Sequence, residues 1–328
     1  MIEQPPTEAP TAPDPLADAL LQAPIVAPGP RRLLEMIGGT PMIDLSDLVG
    51  RPGVRLLGKA EFANPGGSVK DRPALAMMLE ARHRLGPQLG GRRVLDATSG
   101  NAGIALAMVS AAFGLPITLC MTAKASLERK QLLRAYGAQV VLTDPVEGSD
   151  GAIREARRLQ AEAPEKYAYL DQYSNPENWR AHYRTTGPEI WQQTAGQLTH
   201  FITGIGTSGT MMGVGRFLRK HAPQVRLISV QPDSPLHGID GYKHMASAMV
   251  PEIYDAQLVD EAWTTSTETG YDMVKQLARR HGLLVGVSAG ANVAAALRLA
   301  EQLEQGTVVT VLCDNADKYL SEPFWEEP

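Results

Sequence analysis

Asn64-Pro65-Gly66-Gly67-Ser68-Val69-Lys70-Asp71-Arg72 places one lysine where an apolar extended run gives way to a helix. Upstream, residues 54–57 and 59–62 read as extended chain. Downstream, residues 73–84 are rich in Ala, Leu and Met and read as helix. Asn-Pro-Gly-Gly is strong turn chemistry between them. An amine at such a junction is partly desolvated and sits beside the positive end of a helix dipole, and both effects favour its neutral form. A neutral lysine amine forms Schiff bases, so chemistry on an aldehyde is implied. Taken alone, Ser-x-Lys more often marks an exposed helix start, and three further loops alter that reading.

Thr98-Ser99-Gly100-Asn101-Ala102-Gly103 follows a strand expected over 93–97 and opens a helix expected over 104–114. Small residues at a helix start leave backbone N–H donors free for a carboxylate or phosphate. Gly204-Ile205-Gly206-Thr207-Ser208-Gly209-Thr210 follows a strand expected over 200–203 and precedes a helix expected over 211–220. Its glycines let the backbone close in, and its hydroxyls suit a phosphate. The P-loop lysine is missing, so a small phosphate ligand fits better than a nucleotide. Gly286-Val287-Ser288-Ala289-Gly290-Ala291-Asn292 opens a helix expected over 293–304. The apolar run 308–314 ends in Asp314, at the end of a strand where open α/β sheets place ligands.

These loops, together with GGTPMIDL, ERKQLLRAYGA, HYRTTGPEIW and DKYLS in the same order, resemble the cysteine synthase group of fold type II pyridoxal phosphate enzymes. The resemblance implies pyridoxal 5'-phosphate as cofactor, held by Lys70, which then serves as acid and base at the substrate α-carbon. It implies that Gly206, Thr207, Ser208, Gly209 and Thr210 bind the cofactor phosphate and that Asn101 bonds the ring hydroxyl. Thr98, Ser99 and Gly100, with Asn101 and Gln172, match the segment that closes on the substrate carboxylate. Asp314 falls where members carry a group facing the pyridine nitrogen, often a serine or threonine. The implied reaction is β-replacement on an O-activated L-serine through an aminoacrylate. Cysteine from O-acetylserine or O-phosphoserine and a sulfur donor is the leading form. Diaminopropionate or cystathionine synthesis is the alternative, and a serine/threonine dehydratase or a noncatalytic homologue fits less well.

Composition agrees with an enzyme rather than a nucleic-acid or membrane protein. The 328 residues are 44% apolar and 20% charged, with a net charge of −5 and no basic run. No apolar run approaches the roughly 18 residues of a bilayer span. The cysteines, Cys120 and Cys313, fall in separate apolar strands, so no disulfide is expected and a reducing cytoplasm is the natural setting. No metal site is expected. Residues 1–30 hold eight of the 24 prolines and no Lys or Arg, which reads as a flexible arm rather than a targeting signal. Within it, residues 16–21 (LADALL) can form a helical turn against a second copy.

From residue 31 onward, strands and helices alternate, including AYLD, HFITGIG, VRLISVQP, LLVGVS and VVTVLCD. The expected fold class is α/β, two open twisted, mostly parallel sheets with the site in the cleft between them. The expected layout is a smaller mobile domain over 75–187, a larger one from 31–74 plus 188–322, and a tail over 323–328. A homodimer is implied by the resemblance. Residues 235–252, PLHGIDGYKHMASAMVPE, match the loop that varies between members with their donor. Lys243, with His237 and His244 nearby, is the candidate cation for a donor phosphate.

Overall fold

The computed structural model describes residues 32–98 and 100–326, so Ser99 and the 16–21 segment lie outside the described residues. One sheet has six strands in the order β1-β2-β10-β7-β8-β9. These are β1 (Met42–Asp44), β2 (Val54–Ala60), β7 (His200–Gly204), β8 (Arg226–Pro232), β9 (Glu261–Thr265) and β10 (Gly306–Leu312). Only β1 runs antiparallel to its neighbour. The second sheet is wholly parallel, in the order β5-β4-β3-β6. Its strands are β3 (Arg93–Thr98), β4 (Ile117–Thr122), β5 (Gln139–Thr143) and β6 (Tyr167–Tyr169). The expected α/β class with two mostly parallel sheets is what the chain adopts.

Strand β4 is buried at every position, because helices cover both faces of a parallel sheet. Helix α1 (Asp71–Leu85) and α2 (Asn101–Ala112) pack Met77, Met78, Leu106 and Val109 against the four-stranded sheet. Helix α3 (Leu127–Ala135) joins this layer, whereas α4 (Gly148–Glu162) covers the opposite face with Ala152, Ile153 and Ala156 over Leu95, Ala97 and Cys120. Helices α5 (Glu177–Arg184) and α6 (Thr186–Gln193) pack instead beside α7 (Gly209–His221), with the rings of Tyr183 and Phe217 edge to face. On the opposite face of the six-stranded sheet, α8 (Thr267–His281) and α9 (Val287–Ala300) bury Val274, Val287 and Val293 over Ile202 and Val308.

Two expectations fail locally. Residues 283–288 form no strand; Val285 makes one isolated bridge to Asn315, and the Gly286 N–H turns inward to the Asp314 carbonyl. The apolar run is the buried approach to α9, and a run this short carries no period that separates strand from helix. Residues 59–62 are not all extended either, since β2 ends at Ala60 and Glu61–Ala63 form a 3-10 turn. That turn aims the buried Glu61 back at Arg72 of α1 (Nε–Oε2 2.7 Å). The other side of the Arg72 guanidinium meets Glu189 of α6 (Nη1–Oε1 2.7 Å), and Lys59 of β2 reaches the same carboxylate at 2.7 Å. Four buried charges thereby tie β2, the start of α1 and α6 together.

Candidate active site

Lys70 stands at the crossing between the two sheets. Strand β2 lies in the six-stranded sheet, whereas α1, which Lys70 caps, packs on the other. The turn between them closes with the Gly67 N–H on the Asn64 carbonyl (2.8 Å), at a positive φ of 75° that glycine adopts without strain. Lys318 holds the turn from outside by donating to the Gly67 carbonyl at 2.8 Å. The Val69 N–H then bonds the Cys313 carbonyl just beyond β10 (2.8 Å). Lys70 is thus fixed at both flanks, and its side chain lines a cavity between the sheets. Burial pushes the amine below its ordinary value, against the opposing pull of Cys313 and Asp314.

The loop from β7 to α7 lines the same cavity with Gly206, Thr207, Ser208, Gly209 and Thr210. A Cβ on Gly206 would lie 1.9 Å from the Gly241 carbonyl oxygen, and one on Gly209 1.9 Å from Asn178 Oδ1. Only glycine permits that approach. Ser208 is held at φ 69°, in the left-handed region, and its buried hydroxyl has no protein partner among the described residues. A strained residue with an unpaired hydroxyl at a helix N-terminus is a cradle shaped for an anion.

Asn101 faces the cavity from the start of α2. Its Nδ2 donates to Asp314 Oδ2 (2.7 Å), while its buried Oδ1 has no protein partner among the described residues. Gly100 and Gln172 also line the wall, the latter anchored by Nε2 on the Ala97 carbonyl at 2.6 Å. Thr98 does not reach the cavity. It is buried, and its Oγ1 accepts from the N–H groups of Gly100 (3.0 Å) and Gly103 (2.8 Å), which makes it the anchor that shapes the loop. Asp314 likewise lies behind the wall. Tyr319 donates to its Oδ2 at 2.5 Å, and burial raises the carboxyl above its ordinary value. The hydroxyl on the wall there is that of Ser288, at the start of α9, beside Cys313.

Lys243, the candidate cation for a donor phosphate, does line the cavity but is already paired. Lys243 lines the cavity with its side chain only 6% exposed, and its ammonium lies 2.5 Å from Asp150 Oδ1. Arg129 similarly crosses from α3 to Asp240 (2.7 Å) and lies over the Tyr319 ring, 4.5 Å from its centre. Sequence reasoning assigned no role to Ser288, Arg129 or Tyr319, although each sits in a quoted segment; their pairing is long-range and leaves no local period. Among the described residues there is no helix long and apolar enough to cross a membrane and no cluster suited to a metal ion.

The donor set fits a small phosphate ester carrying an aldehyde. A depressed amine, a glycine cradle and two buried oxygens without a protein partner among the described residues all face one cavity. Residues 33–314 match the family of pyridoxal-phosphate dependent enzymes. The chain is 47% identical over 302 residues to a cysteine synthase of Aquifex aeolicus (strain VF5), covering 90% of this chain and 92% of that one. It superposes on an O-ureido-L-serine synthase with a TM-score of 0.83 at 36% identity, covering 92% of this chain and 96% of that one. An O-acetylserine dependent cystathionine β-synthase from Helicobacter pylori gives 0.83 at 36% identity, covering 89% and 98%. The glycine cradle, the buried lysine and this similarity along nearly the whole chain lead to one conclusion: the protein belongs to the pyridoxal-phosphate dependent enzymes, within the cysteine synthase group.

Proposed function

We propose that this enzyme makes cysteine by β-replacement, exchanging the acetoxy group of O-acetyl-L-serine for sulfide and releasing acetate. The observation that carries this reading is the amine of Lys70, depressed by burial and aimed into the same cavity as the loop 206–210. Lys70 binds the cofactor aldehyde, the loop 206–210 holds its phosphate, and Asn101 meets its ring hydroxyl. Pyridoxal phosphate, when bound, supplies an electron sink for the substrate α-carbon. Ser288 rather than Asp314 takes the place facing the ring nitrogen, because its hydroxyl is the group on the wall. A hydroxyl leaves the nitrogen less firmly protonated than a carboxylate does.

The chain's own groups do the rest. The start of α2 at Asn101, together with Gln172, receives the substrate carboxylate and fixes the Cα–H bond toward Lys70. The Lys70 amine takes that proton as acetate departs from the β-carbon and returns it once sulfide has added there. The test supplies O-acetyl-L-serine with sulfide, homocysteine or hydroxyurea in turn and identifies products by mass. Cysteine as the dominant product is expected; a preference for another nucleophile overturns the assignment of the second substrate.

The smaller domain over 75–187 closes on the larger one in this reading, and the pairs Lys243–Asp150 and Arg129–Asp240 are bonds of the closed form. The reduced, partly or wholly buried cysteines support a cytoplasmic setting. A homodimer is supported by the exposed apolar Leu33 and Met36 at the start of the described chain. Light scattering at micromolar concentration is expected to give twice 35.3 kDa, and the monomer mass would refute the dimer.

A further inference from the structure

Among the described residues, two cations besides Lys70 reach the cavity wall, and each is matched by a carboxylate. Arg129 meets Asp240, and Lys243 meets Asp150. The second pair joins opposite sides of the cavity. Lys243 belongs to the 235–252 loop, pinned to the six-stranded sheet by its own N–H on the Ile205 carbonyl at 2.9 Å. Asp150 sits in the first turn of α4, on the four-stranded sheet, beside cavity-lining Ser149. Its other oxygen accepts from the Met249 N–H at 2.9 Å, so one carboxylate gathers both the ammonium and the backbone of the variable loop. Burial would raise this carboxyl, but Lys243 and the Met249 N–H outweigh it and hold it below its ordinary value.

We infer that Asp150 is a specificity-determining residue: by holding the Lys243 ammonium it cancels the cation that the variable loop brings to the cavity, and so favours a neutral acyl arm over a phosphate dianion. This rests on the β-replacement reading. A dianion entering beside Lys243 would have to displace Asp150 or lie against it, at the cost of burying two like charges. An acetyl ester needs no counter-ion and leaves the pair intact. Specificity of this kind comes from a repulsive group as much as from an attractive one. Asp150 acts through Lys243 and through the charge it presents, so it is a positioning residue rather than a catalytic one.

The test is Asp150→Asn, whose carbonyl can still accept from Met249 while its amide no longer pairs with an ammonium. Binding is read by calorimetry on the holoenzyme with two unreactive ligands. One is the phosphonate isostere of O-phosphoserine, with a methylene in place of the ester oxygen; the other is the matching ketone isostere of O-acetylserine. Affinity for the phosphonate relative to the ketone is expected to rise about tenfold or more, the scale of one charge-assisted hydrogen bond. The kcat/KM ratio of O-phosphoserine to O-acetylserine should rise with it. The double variant Asp150→Asn, Lys243→Met should lose the gain. A relative affinity unchanged in Asp150→Asn, a fall in both ligands together, or a gain that survives in the double variant overturns the inference. A wild-type enzyme that forms no cysteine from O-acetylserine sinks the functional reading instead, and the isostere affinities still judge Asp150.

Discussion

Lys70→Ala is expected to lower cysteine formation by at least about 1,000-fold, because in the proposed reaction this one side chain would supply both the cofactor link and the proton transfer at the α-carbon. The side chain projects into a cavity rather than into the core, so the variant should fold normally and keep its unfolding midpoint. Borohydride reduction of the wild-type holoenzyme gives a second readout. It should fix the pyridoxyl mass on the peptide containing Lys70 and leave the variant unlabelled. Label on Lys59, Lys243 or Lys318, all of them buried, would transfer the role to that residue.

Arg72→Met is expected to destabilise the fold by about 3–5 kcal/mol, since it strands Glu61 and Glu189 without the guanidinium between them. The effect should depend on pH in a defined direction. Burial alone would raise the Glu189 carboxyl, but Arg72 and Lys59 hold it at about 2, against 4.5 in the unfolded chain. A depressed carboxyl contributes stability that is fully present above 4.5 and is lost as pH falls toward 2. The gap between wild type and Arg72→Met should therefore narrow over that window, as read from urea unfolding at a series of pH values. A gap that stays constant with pH, or one below about 1 kcal/mol, would mean the network contributes little.

The legible parts of this protein were the ones whose physics is local. Turn chemistry at residues 64–68, the glycine loop 204–210 and the small-residue start of α2 all announce backbone geometry, and backbone geometry fixes where Lys70, Ser208 and Asn101 stand. What escaped is what pairs across the fold. Thr98 reads as a free hydroxyl in sequence, yet it spends its oxygen on the loop's own N–H groups. Asp314 reads as a carboxylate at a strand end, but Tyr319 and Asn101 hold it behind the wall and leave Ser288 in front. Lys243 was found and its partner was not, because Asp150 lies on the other sheet. Lys59 and Glu61 looked like ordinary strand positions, and their burial is explained by distant partners, Glu189 and the Thr40 carbonyl for Lys59 and Arg72 and the Thr40 hydroxyl for Glu61.

The interleaving of the two sheets has a consequence for how the molecule is made. The four-stranded sheet takes all its strands from residues 93–169, one unbroken stretch of chain. The six-stranded sheet cannot be completed in that way, since β2 must wait for β10, with Val54 facing Gly306. As the chain leaves the ribosome, the smaller sheet can form while β2 is still without its central neighbour. Closing so distant a pair is the slow step expected of high contact order, and until it happens the apolar edge of β2 is open to other chains. Lys70 comes right after β2, and its flank is pinned by the Cys313 carbonyl. If Lys70 carries the cofactor as proposed, its site is finished only once β10 has entered the sheet, and cofactor capture would report on that event.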